Sequence, residues 1–272
     1  MTPLLTAWII SSFIQSASAW EPRMVNGQIV TWKKDSIGFE INTDNASGIT
    51  PEQAKEAILA AAEQWDGSEL GAQATFVFEG ESKQQGANLG DDVHIVSFDT
   101  SWNQDPSLLA VTHVWSNANN EIVHFDIEIN ADDIEWSTSG DPNRYDLQNA
   151  MTHEFGHALG LEHSDDVEAS MASSTMVGEI SKRDINPDDE EGLLTLYPLQ
   201  ANTPSTEEGE ASNNENSRGS GGSTDNALLD TPDGSTGQMG PVQLEQAGCT
   251  HTSSREWLPF MLSILVLSFR RR

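Results

Sequence analysis

The run His153-Glu154-Phe155-Gly156-His157-Ala158-Leu159-Gly160-Leu161-Glu162-His163 constrains this chain more than any other stretch. Histidines four apart project from one helix face, a turn apart. Residues 153 and 157 therefore belong on a single helix if they act together. Gly160 permits the left-handed backbone that ends a helix and turns the chain sharply, and that turn brings His163 back toward the other two. Three imidazoles at one point are the protein share of a tetrahedral zinc site with one position open to water. Glu154, beside the first ligand, is the natural acceptor of that water's proton once zinc has lowered its pKa from about 15.7 toward about 7. His-Glu-x-x-His alone recurs by chance in unrelated chains. Gly160 and His163 at the extended spacing make such an accident rare.

The flanking pattern predicts what carries this run. Asp146 is a cap for a helix whose apolar stripe is Leu147, Met151, Phe155 and Ala158. Upstream, Thr50-Pro51-Glu52-Gln53 reads as a helix start, with Thr50 as N-cap and Pro51 in the first turn. Ala54, Ile58, Ala61, Ala62 and Trp65 continue at helical spacing to Asp66, before Gly67. Strands are expected at Ile29–Trp32, Gly38–Asn42, Ala74–Phe78, Val93–Phe98, Leu108–Trp115 and Glu121–Asn130. A third helix is expected from Asn186-Pro187 through Leu193, Leu194 and Leu196. Strands with one early helix, followed by two helices, imply an α+β or α/β domain with a twisted sheet backed by helices.

His153 through Ser164 closely resembles the active-site helix of the matrixins, the matrix-metalloproteinase-like branch of the metzincins. Ala169-Ser170-Met171 resembles the Met-turn that lies beneath the metal in those proteins, making Met171 the candidate and Met176 the second choice. Asn186 to Pro198 resembles the closing helix, ending in Leu196-Tyr197-Pro198. The resemblance implies an α+β metzincin-type domain with a mostly parallel sheet, an active-site helix and a C-terminal helix. It implies a zinc endopeptidase with Glu154 as general base and His153, His157 and His163 as metal ligands. Its protein or peptide substrate would lie extended on the edge strand Leu108–Trp115, while Met171 to Asn186 would line the pocket for the side chain just after the scissile bond. A structural calcium ion is carried as a further expectation.

There are two departures from the family pattern. Animal-type matrixins are held latent by a pro-segment cysteine that ligates zinc. Here Cys249 is the single cysteine and the stretch before Ile29 is short, so that latency is not expected and restraint would fall to location and tethering. His113 and His124-Phe125-Asp126 partly resemble a structural zinc and calcium region, but its remaining ligand loop is not recognisable. His94, His113 and His124 are accordingly read as packing or surface residues.

The ends read as processing signals. Leu4 to Ile14 followed by Ala17-Ser18-Ala19 suits a signal peptide over residues 1–19, although no basic residue precedes the apolar run. Residues 20–200 form the expected zinc metallopeptidase domain. Residues 201–247, rich in Ser, Thr, Gly, Asn and Glu, have too few large apolar groups to offset chain ordering and read as a disordered tether. Residues 248–272 (Gly248-Cys249, then apolar Trp257–Phe269, then Arg270-Arg271-Arg272) resemble the sorting tails of myxobacterial-type surface proteins, with Cys249 as the anchoring residue. A helix over Trp257–Phe269 would be about 20 Å long, short of a hydrocarbon core of about 30 Å. The expected product is exported and monomeric, touching membrane only through this tail. One cysteine also excludes an intrachain disulfide and a thiolate zinc finger. A formal net charge of −30 argues against nucleic acid as a partner, because phosphate binding needs clustered cations.

Two other classes stay open at this level. One is a catalytically silent metzincin-like binding module, against which the intact Glu154 counts. The other is an acidic calcium-binding surface protein with a chance motif, which zinc stoichiometry would separate.

Overall fold

The computed structural model describes residues 18–199 and 243–251. The expected signal peptide up to residue 17, most of the tether and the apolar tail segment Trp257–Phe269 lie outside the described residues.

The central sheet has six strands: β1 (Ser36–Asn42), β2 (Thr75–Glu81), β3 (Ile95–Asp99), β4 (Ala110–Ser116), β5 (Ile122–Asn130) and β6 (Gln243–Ala247), in the order β6-β4-β5-β3-β1-β2. β1 pairs in parallel with β2 and β3, and β3 with β5. β4 is antiparallel to β5, and β6 is antiparallel to β4. This is the mostly parallel sheet of an α+β domain, as expected. β6 departs from the expectation of a disordered tether over residues 201–247. Its residues carry no alternating apolar pattern, and they form a strand because the open edge of β4 supplies unpaired backbone groups that a docked segment satisfies.

Helix α1 (Pro51–Glu63) begins with the predicted cap. The Thr50 side chain accepts from Gln53 N and the Gln53 side chain returns to the Thr50 backbone. It stops earlier than its apolar spacing suggested. Asp66 leaves the helical conformation and its carboxylate caps Ser68 N, starting a separate turn at Gly67–Leu70. The acid that reads as one helix's end is the next one's beginning. Helix α2 (Leu147–Ala158) has Asp146 as its cap, accepting from Asn149 N, and helix α3 (Pro187–Leu196) has Asn186.

Aromatic packing seats α2 against the sheet. Phe155 lies 5.2 Å from Phe39 and 4.8 Å from Phe76 between ring centroids. The Trp65 indole N–H donates to Thr152 O at 2.8 Å. At the helix C-terminus, carbonyls without intrahelical partners meet side chains instead: Trp32 Nε1 donates to Ala158 O at 2.8 Å and Tyr197 Oη to Leu159 O at 2.5 Å. These buried bonds satisfy groups that would otherwise cost about 1–3 kcal/mol each. Among the described residues no helix is long and apolar enough to cross a membrane.

Candidate metal centre

The end of α2 positions the site. Leu159 keeps right-handed helical angles, and Gly160 then takes φ +90°. Gly160 N donates to His157 O at 2.9 Å and Leu161 N to Gly156 O at 3.0 Å, the paired bonds of a Schellman turn. A Cβ at Gly160 would also meet Val30 O at 3.0 Å, so both backbone angle and space require glycine. The turn returns His163, and the ligand nitrogens of His153, His157 and His163 lie within 4.8 Å of one another.

The imidazole hydrogen bonds decide which nitrogens face inward. His153 Nδ1 is 2.8 Å from Ser170 O and His157 Nδ1 is 2.8 Å from Leu161 O. A carbonyl can only accept, so Nδ1 carries the hydrogen in both rings and each Nε2 presents a lone pair. These two Nε2 atoms are 3.0 Å apart, and His163 Nε2 is buried with no hydrogen-bond partner. Burial holds the pKa values of His153 and His157 well below 6.5 and lowers that of His163. Protonation therefore does not relieve the facing lone pairs. A cation between the rings does, and the neutral nitrogen donor set fits zinc. Among the described residues this is the only group of three His, Cys or acidic side chains that brings its ligand atoms together.

Glu154 is fully buried beside this cluster. Burial pushes its carboxyl up to about 7, against the downward pull of hydrogen bonds from Thr112 and the Cys249 backbone. Thr112 Oγ1 donates to Oε2 at 2.6 Å and Cys249 N to Oε1 at 2.9 Å. Neither partner was anticipated from sequence. Thr112 lies in an ordinary strand pattern, and Cys249, the expected anchoring residue, is fully buried.

Met171 is buried, whereas Met176 is 60% exposed. A Cβ on Gly156 would approach Met171 Sδ to 2.2 Å; the glycine inside the motif makes room for the sulfur. The Met171 turn is held by Asp189, in the first turn of α3. Its buried carboxylate accepts from Ser170 N at 2.7 Å, Met171 N at 3.0 Å and Asn186 N at 2.8 Å. Since Ser170 O orients His153, this carboxylate reaches the metal cluster through one residue. Asp189→Asn replaces an acceptor by a donor facing backbone N–H groups, and leaving buried donors unpaired costs about 1–3 kcal/mol each. The expected result is a clear drop in denaturant midpoint at constant m-value. An unchanged midpoint would mean that Asp189 does not support the turn.

His94, His113 and His124 do not join the cluster. His94 Nδ1 is 3.0 Å from His124 Nδ1, His124 Nε2 is 3.1 Å from Asp126 and His113 Nε2 is 2.5 Å from Glu128. All three are buried. No carboxylate cluster among the described residues brings three ligand atoms together.

A family model described as Matrixin matches residues 31–198. Interstitial collagenase of Bos taurus is 40% identical over 83 residues, covering 28% of this chain and 17% of that protein. Neutrophil collagenase of Homo sapiens is 38% identical over 88 residues, covering 30% of this chain and 17% of that protein. Metalloendoproteinase 2-MMP of Arabidopsis thaliana is 38% identical over 77 residues, covering 26% and 20%. The matched stretch thus spans a fifth or less of each relative's length.

Proposed function

The chain belongs to the matrixin family, and we propose that it is a zinc-dependent endopeptidase with His153, His157 and His163 as metal ligands, Glu154 as general base and Met171 as the methionine of the Met-turn. The observation that carries this reading is the inward convergence of three imidazole nitrogens, two of them fixed by carbonyl-bound Nδ1–H groups, with a buried carboxylate alongside. Zinc, when bound, would acidify a water and polarise a peptide carbonyl.

The chain's own residues do the rest. Ser170 O and Leu161 O hold the His153 and His157 rings in one tautomer. Glu154 accepts a proton from water and delivers it to the leaving nitrogen, while Thr112 fixes the rotation of its carboxylate. The β4 edge provides backbone groups for an extended peptide, which favours protein and peptide substrates over small molecules. Export, action on extracellular protein and attachment through the Cys249 segment complete the proposal. They are supported by the character of residues 1–19 and 248–272.

The test is digestion of an unbiased peptide library by the purified chain, before and after a chelator and after zinc is restored. Cleavage that disappears with the chelator and returns with zinc is expected. Cleavage indifferent to the chelator would sink the zinc reading.

A further inference from the structure

The segment from Gln243 to His251 lies in the cleft of its own chain. β6 runs antiparallel along β4, pairing Ala247 with Thr112 and Glu245 with Val114. Beyond it, Leu109 N donates to Cys249 O at 2.9 Å and Thr250 N to Ser173 O at 3.1 Å. Thr250 and His251 pair in parallel with Ser174 and Thr175 on the opposite wall. One extended strand is therefore gripped by backbone bonds from both sides of the cleft, the geometry of peptide capture by strand addition.

Its register places one peptide bond at the chemistry. Gly248 follows Ala247, the last residue paired with β4. The next amide, Cys249 N–H, donates to Glu154 Oε1 at 2.9 Å. The Gly248–Cys249 bond thus holds its nitrogen against the candidate base, just beyond the strand that lies along β4. Gly248 is required there: a Cβ would come within 2.3 Å of Ala110 O. The Cys249 thiol is not part of the three-histidine group. It is fully buried.

We propose that residues 243–251 are the enzyme's first substrate, cleaved in cis between Gly248 and Cys249. This rests on the endopeptidase reading and names a substrate for that same site. One water is consumed. Its oxygen bonds to the Gly248 carbonyl carbon and the carbon–nitrogen bond breaks. Gly248 ends as a carboxylate, and both water protons end on the Cys249 nitrogen, which leaves as an ammonium, one of them carried by Glu154. Until the cut, the segment covers the β4 edge and blocks other peptides. The cut opens the cleft and separates the catalytic domain from Cys249 and everything beyond it.

The test uses three full-length chains, wild type, Glu154→Gln and Gly248→Val, with three readouts: intact mass over time, alkylation of Cys249 by iodoacetamide under native conditions without added metal, and hydrolysis of the peptide library with zinc. In the wild type with zinc, a product ending at Gly248 and one beginning at Cys249 are expected, at a rate independent of protein concentration, as an intramolecular reaction requires. Glu154→Gln is expected to stay intact, with Cys249 alkylated about 100-fold more slowly than in Gly248→Val, since a docked thiol reacts only through opening. Equal alkylation in these two variants would overturn the docking. A wild-type chain that stays intact, or is cut at a rate rising with concentration, would overturn cleavage in cis. Library hydrolysis by Gly248→Val separates the two readings: with it, a failed self-cleavage leaves the peptidase standing; without it, the peptidase reading itself falls.

Discussion

His157→Ala is expected to lose bound zinc and peptide hydrolysis together. His157 is fully buried, its Nδ1 is bonded to Leu161 O and its Nε2 lies 3.0 Å from that of His153. Changing a residue that merely orients a metal ligand costs about 10–100-fold in affinity or activity, so removing a ligand costs more. The substitution also empties space at the end of α2 and leaves Leu161 O without the imidazole N–H. Two measurements check it. Metal analysis after dialysis should fall from one zinc per chain to near none. Zinc at 1,000 times its dissociation constant should stabilise the wild type by about 4.1 kcal/mol and the variant far less. A variant that keeps full zinc occupancy would remove His157 from the ligand set.

Glu154→Gln is expected to separate binding from chemistry. Glutamine has nearly the same shape: its carbonyl can still accept from Cys249 N, while its amide donates to the Thr112 hydroxyl, which unlike a backbone N–H can also accept. Fold, zinc content and docking of the 243–251 segment should all survive. The proton acceptor is gone, and a positioned general base contributes about 10²–10⁴-fold to rate. The drop should appear in kcat/KM for library peptides at unchanged zinc stoichiometry. A variant retaining more than about a tenth of wild-type activity would hand the proton to another group. Seen beside His157→Ala, it distinguishes a peptidase from a domain that binds metal and peptides without cutting them.

Much of the frame is legible from local pattern. Thr50, Asp146 and Asn186 announce three helix starts because capping is a contact within three residues. The spacing of His153, His157, Gly160 and His163 is legible for the same reason: helix periodicity and one left-handed residue connect all four. The limits of that logic show at Asp66, where two local preferences compete and the short turn at Gly67–Leu70 wins.

What sequence alone determined, then, is the helix, its glycine stop and the three histidines that follow from them, since each depends on backbone geometry over a few residues. Tertiary structure decided everything that touches them from afar. Thr112 reaches Glu154 across 42 residues and Cys249 across 95, and Asp189 holds Met171 from α3. None of these has a local signature, because a hydrogen bond between distant segments depends on sheet order and docking register. Cys249 is the sharpest case. Composition around it reads as tether and tail, while an open strand edge and a cleft that admits only glycine at position 248 draw it into the site.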